Sequence, residues 1–258
     1  MNDWIAHKIL LLPELDSVGG KAVDNLIVYV HWLMFALFIG WTAYFIYALW
    51  RFNERRNPKA DYEGSKSPIP KFTEVAVVLV EFFLLFVIAV PLWGRNVEQF
   101  PDPKKATLIQ IQAQQFGWNI RYPGEDGTFG SENMKLVSDS NIFGVDTNDP
   151  AGKDDIQYYN GDIHVVVNQP VLIYLGSKDV IHSLKLVAMR ITQDAIPGLR
   201  IPVTFTPTKI GRYQIECAQL CGGGHSAMAG GFLLVQSPED YAAWIKSKSK
   251  SATPASFE

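Results

Sequence analysis

A two-helix transmembrane hairpin followed by an all-β Greek-key domain is the fold class this sequence predicts, and three observations carry it. Two long apolar runs occupy residues 26–50 and 75–93, and basic residues crowd the stretch between them. After Phe100 the chain changes to short β-branched segments punctuated by Gly, Pro, Asn and Asp, which is the pattern of strands and turns. The 258 residues are 48% hydrophobic, and the concentration of that content near the N-terminus argues for an anchor and a separate outer domain.

Residues 1–25 read as an extracytoplasmic segment. The apolar stretch Ile9 to Leu12 is too short for a signal-peptide core of about seven or more residues. In the first apolar run only His31 and Thr42 are polar, and in the second only Glu81. At about 1.5 Å per residue the runs are roughly 37 and 28 Å long, against a hydrocarbon core of about 30 Å, so each can span and the first should tilt. Runs this long leave no polar face for water, which argues against buried helices of a soluble protein.

Orientation follows from the flanking bases. The loop 51–71 holds Arg51, Arg55, Arg56, Lys59, Lys66 and Lys71, whereas the outer flanks hold Lys8, Lys21, Arg95, Lys104 and Lys105. The richer loop belongs inside, with both termini outside, and Trp50 and Trp93 serve as interfacial anchors. The reading therefore divides the chain into 1–25, a transmembrane hairpin over 26–93 with a cytoplasmic loop 51–71, an outer β-domain over 94–247 and a tail 248–258.

Within the outer domain the pattern predicts strands over 108–113, 117–122, 134–137, 163–167, 171–175, 181–186, 189–192, 203–206, 211–216 and 230–235. Many short strands at this spacing suggest a sandwich or barrel. Residues 139–161 show no pattern and read as a long loop or insertion. The acids Asp139, Asp146, Asp149, Asp154, Asp155 and Asp162, opposed only by Lys153, mark either a solvated loop or a surface that steers a basic partner. Pro238 followed by Glu239 and Asp240 starts a helix reaching about Ser247, and the small polar tail 248–258 is expected to be disordered.

The chemistry sits in Cys217-Ala-Gln219-Leu-Cys221-Gly-Gly-Gly-His225-Ser-Ala-Met228. Two thiols, an imidazole and a thioether are soft donors, which select copper, zinc or iron–sulfur over magnesium or calcium. The glycines let the loop fold back on itself. His182, in Asp179-Val-Ile-His182-Ser, is the best second histidine. A blue-copper site needs one cysteine, two histidines and an axial methionine, and this set has one cysteine more, enough for two thiolates to be shared by two copper ions. A disulfide between the cysteines and a zinc site are the rivals, although zinc has no use for the methionine. His164 alternates with Ile163 and Val165 and reads as structural. A C-x-x-C-H haem attachment is excluded, because three residues separate the cysteines and Gly222 follows the second.

Two spans followed by this loop resemble subunit II of the haem-copper terminal oxidases, of the cytochrome c oxidase type with the dinuclear CuA centre. The resemblance covers nearly the whole chain. It implies a cupredoxin-like domain on the periplasmic side of a bacterial inner membrane, and copper ligands His182, Cys217, Cys221, His225 and Met228 with the carbonyl of Gln219. It implies partners: subunit I, whose haems reduce dioxygen to water while protons are pumped, subunit III, and cytochrome c or an equivalent donor, in membrane lipid and without nucleic acid. Arg190 to Gly198 is also similar to the family pattern.

Three positions depart from that pattern. Gln219 stands where the family has a glutamate that reaches an interfacial magnesium, and a neutral amide is a poorer partner for a hard dication. Phe116 stands where the family has its electron-accepting tryptophan, leaving Phe116 and Trp118 as candidates for that role. Glu74 matches the family's proton-uptake carboxylate, and Glu81, where the family often has proline, lies seven residues further along the helix. A charge near mid-bilayer costs about 2.5–3.5 kcal/mol, so Glu81 should be neutral or paired, as a structural pair or as a relay. Quinol oxidase subunit II lacks the copper donors, nitrous oxide reductase carries its copper loop after a propeller, and a copper chaperone needs neither two bridging thiolates nor an acid at a proton entrance.

Overall fold

The computed structural model describes residues 2–59, 62–64, 66–146 and 148–249, and it divides into two compact units. The first unit holds the two long helices. One runs Gly20–Arg51 and the other Ile69–Arg95, and both are long and apolar enough to cross a membrane. Each starts before its apolar run. The second begins where the Ser67 hydroxyl accepts the Ile69 N–H at 3.3 Å, and Pro70 sits in the first turn, where its missing N–H costs nothing. Near its far end this helix widens into a π-helical turn at Leu84–Ala89. Pro91 lies just beyond, and a proline ring needs such relief because it cannot donate and crowds the carbonyl one turn earlier.

Residues 1–25 do not behave as one segment. Ile5 and Ala6 pack with Val28 of the first helix, whereas Pro13–Lys21 groups with the β-domain. There Asp16 N–H donates to Ala188 O at 2.9 Å and Val18 N–H to Thr206 O at 3.0 Å. The Ser17 hydroxyl donates to Met189 O at 2.8 Å.

In the β-domain a five-stranded sheet has the order β3-β2-β1-β5-β8, with β1 at Thr107–Gln114, β2 at Gly117–Tyr122, β3 at Ile156–Tyr159, β5 at Val171–Ser177 and β8 at Ile201–Phe205. Two three-stranded sheets complete it, β10-β6-β7 and β4-β11-β9. Their strands are β4 (Ile163–Val166), β6 (His182–Leu186), β7 (Ile191–Ala195), β9 (Gly211–Gln214), β10 (Glu216–Cys217) and β11 (Phe232–Gln236). Alternating residues from both layers meet in one core: Ile109 and Ile111, Trp118 and Ile120, Ile173 and Leu175, Leu184 and Leu186, Leu233 and Val235. That is the period-two burial expected of a sheet with one inward face. The pairs β1–β5 and β4–β11 run parallel, so those two sheets are mixed, whereas β10-β6-β7 is antiparallel throughout.

Several expectations need correction. Residues 134–137 form a 3₁₀ turn, Met134–Leu136, because the Asn133 side chain accepts the Lys135 N–H and caps it. The patternless stretch 139–161 contains β3, an edge strand whose exposed outer residues hid its alternation. The run 211–216 is interrupted at Ile215, whose N–H turns aside to Gly231 O at 3.2 Å. The strand expected at 189–192 starts later, at Ile191, after a 3₁₀ turn ending on left-handed Arg190. The C-terminal helix extends over Pro238–Ser249, so the expected tail loses its first residues to the helix, and 250–258 lie outside the described residues.

Every residue of β2 is buried, Trp118, Ile120 and Tyr122 in the core and Arg121 on the outer face under the segment between β2 and β3. The anchor of that segment is Arg121, with no exposed surface. The guanidinium donates to Asp155 Oδ2 through Nε at 3.0 Å and Nη2 at 2.5 Å. It also reaches Glu132 at 2.7 Å, Gln110 at 3.0 Å and Gly130 O at 2.7 Å, and it lies over the Phe129 ring at 5.0 Å. A buried guanidinium is tolerated only when every donor is matched, and the insertion supplies most of the matches. Arg121→Met should therefore destabilise the β-domain by about 3–5 kcal/mol through the unpaired Asp155 left behind, seen as a lower thermal midpoint. An unchanged midpoint would show that the pair holds nothing together.

Candidate metal centre

Three chain segments bring the donor residues to one end of the β-domain. Gln115 and Phe116 make the turn between β1 and β2, His182 opens β6, and Cys217 closes β10. Register does the first part of the work. Cys217 pairs with Leu184, and Ala218 N–H donates to Ser183 O at 2.9 Å, so the first cysteine emerges beside the start of β6.

The glycine turn does the second part. Gly222 has φ +136°, and a Cβ there would lie 2.9 Å from Gln115 Nε2 and 3.0 Å from the Phe116 ring. A Cβ at Gly224 would lie 2.4 Å from the same ring, whereas Gly223 faces open space. Two of the three glycines are thus required by the close approach of Phe116. His225 N–H then donates to Gly222 O at 3.1 Å, and the 3₁₀ turn His225–Ala229 carries Met228 into the core with no exposed surface.

The result is a compact set of soft donors. The His182 ligand nitrogen and the two cysteine sulfurs lie within 4.8 Å of one another. His182 Nδ1 is 3.1 Å from Met228 Sδ, and Cys221 Sγ is 3.3 Å from Met228 Sδ and 3.4 Å from His225 Nδ1. Cys217 Sγ lies 3.2 Å from Gln219 O. Both cysteines are free thiols, which removes the disulfide reading. Sulfur is a poor hydrogen-bond partner, so donors gathered this way are matched to a soft cation far better than to each other.

A second layer, which sequence reasoning did not assign, fixes the first. Asp179 Oδ1 accepts from His182 Nε2 at 2.9 Å, so the other ring nitrogen, Nδ1, faces the sulfurs. Burial raises the Asp179 carboxyl, but the Gln115 N–H, the His182 ring and the Val180 N–H outweigh it and hold the group below the ordinary carboxylate value. The Trp118 indole N–H donates to Met228 O at 2.9 Å, and the Gln115 amide donates to Cys221 O at 2.6 Å. An acid three residues before a candidate ligand was the available signal for Asp179. Nothing local in the sequence signals Gln115.

The remaining candidates fall elsewhere. Trp118 is buried in the core and Phe116 is half-buried over the glycine turn. The Gln219 side chain is exposed. His164 stacks on Trp244 at 4.0 Å and bonds to Gln236 at 2.8 Å, so its partners are structural. Glu74 and Glu81 lie on the second long helix, in the other compact unit.

The chain can be set beside known proteins. A family model described as cytochrome c oxidase subunit II, periplasmic domain, matches residues 107–235. Alternative cytochrome c oxidase subunit 2 of Bradyrhizobium diazoefficiens is 28% identical over 224 aligned residues, 87% of this chain and 79% of that one. Cytochrome c oxidase subunit 2 of Thermostichus vulcanus is 28% identical over 97% of this chain and 82% of its own length. The solved periplasmic domain of subunit II of the Bradyrhizobium japonicum cytochrome oxidase is 24% identical, covers 60% of this chain and 100% of its own, and superposes with a TM-score of 0.44.

Without metal, burial and the neighbouring Cys217 sulfur push the Cys221 thiol from the ordinary 9.0 up to about 11. A raised thiol favours the fold while protonated, so the metal-free domain keeps this contribution below the ordinary value and loses it as pH rises through about 11. Metal must displace the proton. Apparent affinity for a soft cation should therefore rise about tenfold per pH unit for each thiol proton released, in competition titrations between about pH 6 and about pH 8. A flat profile would mean that the thiols are not ligands.

Proposed function

The chain belongs to the cytochrome c oxidase subunit II family, and from that premise we propose that it is the electron-accepting subunit of a respiratory oxidase. It takes electrons from cytochrome c or an equivalent carrier, and they pass to the haems of subunit I for dioxygen reduction to water. The observation that carries this reading is the convergence of His182, Cys217, Cys221, His225 and Met228 in one pocket. These side chains, with the backbone carbonyl of Gln219, would hold a dinuclear copper centre. When bound, the copper pair supplies a one-electron couple shared over two ions.

The chain's own residues supply the rest. Asp179 orients the His182 ring, and Trp118 fixes the backbone at Met228. The core packed around Met228 keeps water from the Met228 and Cys221 sulfurs. Phe116 is the better candidate for the electron-accepting edge, because it is the partly exposed ring over the glycine turn and Trp118 is buried. The exposed Gln219 amide offers no carboxylate to an interfacial magnesium.

In the membrane, the basic loop 51–71 is placed in the cytoplasm and the β-domain in the periplasm of an inner membrane. The packing of Pro13–Lys21 on the β-domain supports an N-terminus on the same side as that domain. Glu74 then lies toward the cytoplasm, where it would take up protons for subunit I, and Glu81 would be neutral or paired with a group on a partner helix. Subunit III completes the proposed complex.

Two measurements test the reading. The copper-loaded complex should show hyperfine splitting from two equivalent nuclei, and Cys217→Ser should abolish that spectrum. A one-copper spectrum in the unaltered protein would overturn it. Docking of a basic donor near the acidic insertion should give an electron-transfer rate that falls as ionic strength rises. A salt-independent rate would remove the charge-steering part while leaving the copper assignment intact.

A further inference from the structure

Gln115 touches both halves of the metal centre. Its side-chain amide donates to Cys221 O at 2.6 Å, and its backbone N–H donates to Asp179 Oδ2 at 2.7 Å. Asp179 in turn accepts from His182 Nε2 at 2.9 Å through its other oxygen. One residue thus holds the glycine-rich loop by its side chain and the histidine-bearing strand by its backbone. The loop is shaped to receive it: the position a Cβ would take at Gly222 is 2.9 Å from the Gln115 amide nitrogen. The Cys221 carbonyl, by contrast, is held by no strand partner, since β10 ends at Cys217.

We infer that Gln115 is a positioning residue that clamps the Cys221 loop onto the His182 side and so sets the spacing of the donors at the metal centre. The inference rests on the copper reading for its redox consequence, but the clamp itself is a property of the chain. The two links are separable by mutation. Replacing the side chain removes the bond to Cys221 and leaves the backbone bond to Asp179, so Cys221 and His225 should shift while His182 stays in place. Replacing Asp179 should do the reverse.

The test is Gln115→Met, close to glutamine in length and without a donor, made in the full chain within the assembled oxidase. Freed of its clamp, the loop should relax differently in the two oxidation states. The oxidised-to-reduced equilibrium should move between about threefold and tenfold, the latter being about 59 mV for a one-electron couple. Hyperfine splitting should become unequal between the two nuclei, because His225 moves and His182 does not. A second readout needs no copper. In the metal-free full chain, alkylation of the buried Cys221 should speed up about fivefold, the worth of one lost hydrogen bond. Asp179→Asn should leave that alkylation rate unchanged.

A shift in either readout supports the clamp, and wild-type values in both overturn it. If Gln115→Met does not assemble, the alkylation rate decides. If the unaltered protein lacks a two-copper spectrum, the copper reading fails and the alkylation comparison still judges the clamp.

Discussion

Soft donors do not hold one another in place. A thiol, a thioether and an imidazole separated by 3.1–3.4 Å gain little from their mutual contacts, so their convergence has to be imposed by the frame. Three features impose it here: the pairing of Cys217 with Leu184, the close approach of Phe116 to the glycine turn, and the hydrogen bonds that Gln115, Trp118 and Asp179 make to the loop backbone and the His182 ring. A rigid frame also suits the proposed chemistry, because electron transfer is slowed by every atom that must move between redox states. Burial of Met228 and Cys221 in the same core that joins the sheets ties the donors to the part of the domain least able to rearrange.

The frame in turn depends on a sheet whose inner face is apolar and whose outer face, at β2, is polar yet buried. The inner face of β2 packs Trp118, Ile120 and Tyr122 into the core, and the outer face would expose Asn119 and Arg121 were it not for the insertion. The insertion has little apolar content of its own, and it is held instead by the Arg121 network. Such a network specifies a unique seat more than it adds stability, since desolvating the charges offsets much of their attraction. Trp118 connects this region to the metal centre, being on β2 with Arg121 and bonded to Met228 O.

Legibility in the sequence followed the range of the forces involved. The spans, the strands of the core and the donor loop were readable because apolar runs, period-two alternation and ligand spacing are local signals. The structure agrees for β1, β2, β5 and β6 to within two residues at each end. The turn at Met134–Leu136 and the edge strand β3 were not readable, because one is decided by a side-chain cap from Asn133 and the other by pairing with β2 across a long insertion. The same holds at the site. His182 could be named from its neighbours, whereas Gln115 lies 106 residues from the carbonyl it binds and carries no mark of its role.

The acidic insertion shows how one set of residues can serve structure and recognition together. Asp149 accepts N–H bonds from Ser131 and Ala151, and Asp154 accepts from Glu125 and Asp126, so these carboxylates organise the loop. Accepting N–H bonds does not discharge a carboxylate. The bonds from Ser131 and Ala151 hold Asp149 below its ordinary value of 3.8 and keep it ionised. Among the described residues Asp155 and Asp139 have cationic partners, Arg121 and Lys178, and the others of the run contribute to an outward negative field. Lys178 immediately precedes Asp179, the residue that orients His182, and its bond to Asp139 fastens the insertion next to the metal-bearing strand. Asp154, by contrast, lies where β3 begins opposite Tyr122, at the far end of β2 from the Gln115 turn, so the carboxylates that fold the loop are spread along the domain and only Asp139, through Lys178, is tied next to the metal-bearing strand.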